Sequence, residues 1–200
     1  MRHLTPDELQ AGLDEIRLAP ADDGELVLIV ARPDIDQRQL LAEGRLTADV
    51  GLVGDNWLAK GSRHTADGNA APDKQITVMN VRVTDLVADG RDRVPLAGDQ
   101  LYVDFDISVE NLPAGSLLHI GDAVLEVSES PHLGCEKFVS RFGAEAMRFV
   151  NSRLGRELRL RGLNARVVVP GTVRVGDRVS RTVQAPDMTS AIVASRSSST

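Results

Sequence analysis

Gln100-Leu101-Tyr102-Val103-Asp104-Phe105-Asp106-Ile107 alternates strictly. Leu101, Val103, Phe105 and Ile107 fall on one side; Gln100, Tyr102, Asp104 and Asp106 fall on the other. A period of two marks a β-strand with one face toward a core. Working outward, short runs of the same kind recur at 75–83, 116–120, 123–127, 165–169, 172–175 and 178–183, with an earlier one at 25–31. Gly-Asp pairs at 98–99, 121–122 and 176–177 punctuate them, and such pairs suit tight turns. Many short strands at this spacing predict a mainly β fold with few helices, built as a closed or nearly closed antiparallel barrel.

Helical signals are few. Thr5-Pro6-Asp7-Glu8 combines an N-cap, a proline at the first helical position and a capping-box glutamate. Leu9, Leu13 and Ile16 then predict an amphipathic helix over 6–18. Residues 1–24 read as an acidic helical lead-in, 25–183 as the barrel domain and 184–200 as a flexible polar tail. A short helix is expected around 37–42. Another is expected over 136–151, where Phe138, Phe142 and Phe149 would plug the barrel core. Gly143 interrupts that segment at a cost of roughly 1 kcal/mol relative to alanine, so two shorter helices meeting there are the alternative. On one regular helix, Lys137, Arg141 and Arg148 would form a cationic stripe within about 40°.

Composition sets the outer bounds. The 200 residues are 42% hydrophobic and 26% charged, with 29 acids against 23 bases and a net charge of -6. That balance argues against a nucleic-acid binder. The charge is unevenly spread: residues 1–136 hold 25 acids and 11 bases, and residues 137–200 hold 4 acids and 12 bases. The one cysteine, Cys135, stands at that seam, and it excludes an intrachain disulfide or a multi-thiolate zinc site. Residues 1–25 carry seven acids and no apolar signal region, and the strongest apolar run spans only 26–31. A cytoplasmic, reduced, non-membrane protein is expected. No nucleotide-binding or nucleophile-elbow motif occurs.

The chemistry-bearing window is Ser130-Pro131-His132-Leu133-Gly134-Cys135-Glu136-Lys137-Phe138. A strand precedes it and a helix follows, so Cys135 is expected at a helix N-terminus, beside Lys137 and within reach of His132. That setting favours an activated thiol, a nucleophile or sulfur acceptor. The competing reading is a buried cysteine acting as a small hydrophobe. His132 and Cys135 alone do not make a metal site. Seven arginines between 141 and 166 suit a phosphorylated ligand; docking onto the acidic section, or exposure to solvent, is the alternative. Trp57 is read as a buried anchor, with a ligand-stacking platform as the other option.

Taken in order, Gly51-Leu52-Val53-Gly54-Asp55, Pro72-Asp73-Lys74-Gln75-Ile76, Glu110-Asn111-Leu112, the strand text 117–127 and Gly134-Cys135-Glu136-Lys137 resemble the MOSC domain. This domain ends the molybdenum-cofactor sulfurases and also occurs as stand-alone bacterial proteins. The resemblance implies a β-rich partial barrel over about residues 25–183. It implies that Cys135 carries a persulfide or faces the molybdenum cofactor (molybdopterin), with His132 and Lys137 beside it. Arg141, Arg148, Asn111, Asp55 and Gly54 would hold that small anionic cofactor. The implied activity is sulfur carriage or transfer, or a part in a molybdenum-cofactor-dependent reductase. A persulfide donor protein or a molybdoenzyme would be the partner, and no pyridoxal phosphate is expected. A binding module for an anionic ligand or partner oxidoreductase, without covalent chemistry, is the other reading.

Overall fold

The computed structural model describes residues 2–62, 65–88 and 90–183; the tail expected at 184–200 lies outside them. The chain opens with α1 (Pro6–Ala11) and α2 (Leu13–Arg17). Thr5 caps α1 through the full capping box with Glu8. Among the described residues eleven strands follow: β1 (Gly24–Ala31), β2 (Gln39–Leu41), β3 (Glu43–Thr47), β4 (Gly51–Leu52), β5 (Ile76–Asn80), β6 (Leu101–Asp104), β7 (Leu117–Ile120), β8 (Ala123–Val127), β9 (Leu163–Val169), β10 (Gly171–Arg174) and β11 (Arg178–Thr182). Between them lie α3 (Trp57–Lys60), α4 (Val81–Ala88), α5 (Glu136–Phe142), α6 (Ala144–Asn151) and α7 (Arg153–Glu157).

Strands β1, β6, β5, β9, β8, β7 and β11 pair in that order, and β11 returns to β1, closing the barrel. The expected barrel is therefore present, with one departure: β5 and β6 run parallel. A parallel pair needs a crossover, and α4 with the 3₁₀ segment Arg91–Ala97 provides it. This corrects the strand read over 75–83. Strand β5 stops at Asn80, whose Oδ1 accepts from Arg82 N at 2.9 Å and so caps α4. Val81, Val83 and Val87 then serve a buried helix face. The helix expected at 37–42 is also corrected. Strand β2 pairs Ile29 with Leu41 and Ala31 with Gln39, taking over the side of β1 that β11 covers only at Gly24 and Glu25. The apolar residues Leu46, Leu52 and Val173 of the small sheet β10-β3-β4 join the barrel core.

The described residues form two cores. The barrel interior holds Leu26, Ile76, Val78, Leu101, Val103, Phe105 and Ile107, the face read from the alternation. The opposite face of β6 is dry at Tyr102 and partly exposed at Asp104. Tyr102 packs with Val30 and Met79 beneath α1, α2, α4, α5 and α6. Phe138 and Phe142 belong to this second, helical layer and do not plug the barrel. Their side chains meet at 4.8 Å between ring centroids. Phe149 packs at the edge of the same layer. Gly143 has φ 91, and it separates α5 from α6. An added Cβ there would lie 2.8 Å from the His3 ring. Among the described residues no helix is long and apolar enough to cross a membrane.

Candidate functional site

Cys135 is the N-cap of α5, with extended backbone angles. Its carbonyl accepts from Phe138 N at 2.8 Å and Val139 N at 3.1 Å, which starts the helix. Its thiol makes no capping bond and is exposed. The loop before it is fixed by Asn151. Gly134 N donates to Asn151 Oδ1 at 2.8 Å, and Asn151 Nδ2 donates back to Gly134 O at 3.1 Å. The buried-hydrophobe reading of Cys135 is thus set aside.

The thiol opens on a groove of about 210 Å³. Six basic side chains line it: Arg32 and Arg38 flanking the β1–β2 connection, Lys60 from α3, Lys137 and Arg141 from α5, and Arg161 just before β9. Asp34, Asp36 and His132 complete the ring. Arg32, Asn56, Lys60 and His132 also line a neighbouring cavity of about 500 Å³, whose wall includes Trp57 and Lys74. Trp57 is half-buried there, which corrects the buried-anchor reading.

Four of the six cations are ion-paired, with three carboxylates between them. Arg32 makes a bidentate pair with buried Asp55, both bonds at 2.8 Å. Arg141 bonds Asp36 at 2.8 Å, and Lys137 lies 3.7 Å from the same oxygen. Arg161 bonds Asp99 at 2.7 Å and lies 5.2 Å from the Phe138 ring centroid. Arg38 and Lys60 make no ion pair among the described residues. Arg38 bonds only carbonyls, those of Pro95 and Gln37. Burial, with Arg141 and Arg32 nearby, pushes its pKa down. Burial, with Arg32 and Lys137 nearby, pushes Lys60 down. Cations crowded without an ion-pair partner favour an incoming anion. Arg161 also keeps a buried Nε with no hydrogen-bond partner among the described residues.

Behind the groove lies a buried relay. His132 Nε2 and Asp99 Oδ1 are 2.8 Å apart, and the other Asp99 oxygen takes Arg161. Asp99 N donates to the Tyr102 hydroxyl at 3.2 Å. Burial alone would raise the Asp99 pKa, but the Arg161 guanidinium and His132 outweigh it and hold the carboxyl at about 2. Burial and Arg161 push the His132 pKa down. A neutral imidazole beside a charged carboxylate carries its proton on Nε2. Nδ1 has no partner among the described residues.

The structure therefore brings together Cys135, His132, Lys137 and Arg141. Asp55 contributes through Arg32, and Gly54 turns the same loop with φ 88. Asn111 lies elsewhere: its Nδ2 donates to Ala21 O at 2.8 Å and Asp106 O at 2.7 Å, tying down the lead-in. Arg148 is exposed on α6 and pairs with Glu145, because the break at Gly143 ends the stripe. Of the arginine run, only Arg141 and Arg161 line the groove. Arg153 pairs with Glu157 and Arg166 with Glu126. Arg32, Arg38 and Lys60 carry no motif in the sequence, and Asp99 reads there only as part of a Gly-Asp turn. The one available signal was Arg32 directly after the apolar run 26–31. Among the described residues no group of three His, Cys, Asp or Glu is placed to hold a metal ion.

No curated protein matches the sequence. Solved structures share the fold. The YuaD protein from Bacillus subtilis is 18% identical over 82% of this chain and 97% of its own, with a TM-score of 0.58. YiiM from Escherichia coli is 18% identical over 82% of this chain and 72% of its own, with a TM-score of 0.52. YiiM from Geobacillus stearothermophilus is 13% identical over 82% and 77%, with a TM-score of 0.55. At these identities the likeness is one of fold. The family rests on sequence: the model of the MOSC domain matches residues 65–180, more than half of the chain and most of the barrel. The chain belongs to the MOSC domain family.

Proposed function

We propose that this protein binds the molybdenum cofactor in the Cys135 groove, with the Cys135 thiol facing the reactive end of the bound group. The observation that carries this reading is the ring of six basic side chains around one exposed thiol, two of them without a counter-ion. The donor set fits a phosphate-bearing anion. Arg38, Lys60 and the unpartnered Arg161 Nε–H have hydrogen-bonding capacity to give. Lys137 and Arg141 can exchange exposed Asp36 for a ligand oxygen. When bound, the cofactor would supply a molybdenum centre able to exchange oxygen or sulfur with a substrate. The protein's own part is to bind and orient. Arg32 is locked by Asp55 and Gly98 O, and His132 presents a neutral acceptor at the edge of the groove.

Exposure of the thiol favours a second reading, a persulfide carrier served by a separate donor protein. There the Cys135 thiolate would attack the outer sulfur of a donor persulfide, and the donor thiolate would leave. One experiment separates the two. The protein is produced in a host that makes the cofactor, and the released pterin is read by fluorescence. Retained pterin that drops several-fold in Arg38→Ala and Lys60→Ala supports cofactor binding. No pterin, with one added sulfur by intact mass that is lost in Cys135→Ser, supports the carrier. Neither signal overturns both.

A further inference from the structure

His132 also lines a third cavity, of about 340 Å³, outside the Cys135 groove. Its walls are largely apolar, with Val109, Leu133, Val150 and Leu163 among them. The volume falls in the range of small-molecule sites. Arg159 is set into this apolar wall. It is half-buried and adopts φ 47, a left-handed conformation uncommon for a residue with a Cβ. Its Nη1 donates to Leu112 O at 2.6 Å, which fixes the guanidinium. Its Nε and Nη2 have no partner among the described residues, and no carboxylate pairs with it. Arg32 and Arg161, also set into cavity walls, each have a carboxylate partner. Arg156 adds a second cation at the same cavity. Glu129, exposed at the rim, is the one opposing charge lining it.

We propose that this cavity is a binding site for a small organic carboxylate with an apolar body, its carboxylate held by Arg159 and its body by Val109, Leu133, Val150 and Leu163. A planar carboxylate matches the two free donors of one guanidinium. The apolar walls disfavour a strongly hydrated dianion such as phosphate. Because His132 lines both this cavity and the groove, an occupant would lie beside a residue shared with the Cys135 groove. The site does not depend on what the Cys135 groove binds.

The test uses benzoate, with isosteric benzamide as the uncharged control, titrated into methyl-labelled full-length protein and read by NMR. Saturable shifts of the Val109, Leu133, Val150 and Leu163 methyls are expected with benzoate. Benzamide should bind at least about tenfold more weakly, the worth of one charge-assisted hydrogen bond. Arg159→Gln should erase that preference. Arg159 also ties down the Leu112 carbonyl, so a second variant guards against misfolding: Ala114→Phe, at an exposed turn on the rim, should block both probes. Absence of saturable benzoate shifts overturns the proposal. So does benzamide binding as tightly as benzoate, or full benzoate affinity in folded Ala114→Phe. The titration needs no cofactor, so failure of the molybdenum reading leaves its outcome unchanged.

Discussion

Replacing Asp99 with Asn removes one negative charge from a fully buried site between Arg161 and His132. The Arg161 side chain is only 8% exposed. Breaking a buried pair by removing one partner costs about 3–5 kcal/mol, and that loss is expected in urea unfolding at pH 7. The pH dependence gives an internal check. Asp99 falls from the ordinary 3.8 to about 2 in the folded protein, an interval worth about 2 kcal/mol. A depressed carboxylate pKa contributes stability that is present above the unfolded value and lost as the pH falls through the folded one. By pH 3 about half of it, about 1 kcal/mol, should be gone. Wild type and Asp99→Asn should therefore converge by about 1 kcal/mol between pH 5 and pH 3. A gap that stays constant over that range, or one below about 0.5 kcal/mol at pH 7, would refute the reasoning.

The same variant carries a second signature. Asp99 accepts from both His132 and Arg161, whereas Asn offers one oxygen and an NH2 group. If Arg161 keeps the oxygen, the amide donates to His132 Nε2 and the ring proton moves to Nδ1. Long-range proton–nitrogen NMR should show the Nε2–H form in wild type and the Nδ1–H form in Asp99→Asn. An Nδ1–H wild type would sink the assignment of His132 as a groove-facing acceptor.

Three further outcomes are expected. Arg38→Met and Lys60→Met should keep or raise the melting temperature, because each removes a cation that its neighbours repel. Each should weaken pyrophosphate binding by about tenfold, followed through the emission of Trp57 in the adjoining cavity; a destabilised variant with unchanged affinity contradicts this. Gly143→Ala should cost about 1–3 kcal/mol in urea unfolding, since φ 91 disfavours a Cβ and His3 occupies its place. His132 has its pKa lowered by burial and by Arg161, so the unfolded chain takes the proton first. Stability should fall as the pH drops below 6.5, and His132→Asn should flatten that limb; an unchanged slope would show that another group is responsible.

What could be read from the sequence follows from how far each contact reaches along it. The face of β6, the capping box at Thr5 and the break at Gly143 are local. Cys135, His132, Lys137 and Arg141 also meet locally, because one loop and one short helix carry them. The errors arose where one apolar pattern serves two structures. Val81 and Val83 alternate as a strand would, but Asn80 caps them into a helix. Phe138 and Phe142 are core residues, yet nothing in their spacing says which of two cores they enter. The cations beside the thiol are hidden in the sequence for a different reason. Arg32 and Arg38 flank the connection out of β1, and Lys60 lies on α3, all far upstream of Cys135. Long-range strand pairing supplies the remaining contact: β1 pairs with β6, and the turn entering β6 carries Gly98 and Asp99 to Arg32 and Arg161. This changes what the charge seam means. The basic section supplies three of the six groove cations, Lys137, Arg141 and Arg161, each already paired with an acid, and others of its arginines pair outside the groove with acids such as Glu126 and Glu157. The two groove cations without an ion pair among the described residues, Arg38 and Lys60, come from the acidic section. Net charge along the chain pointed to Cys135, but the binding capacity there comes from residues whose acidic neighbours are engaged elsewhere.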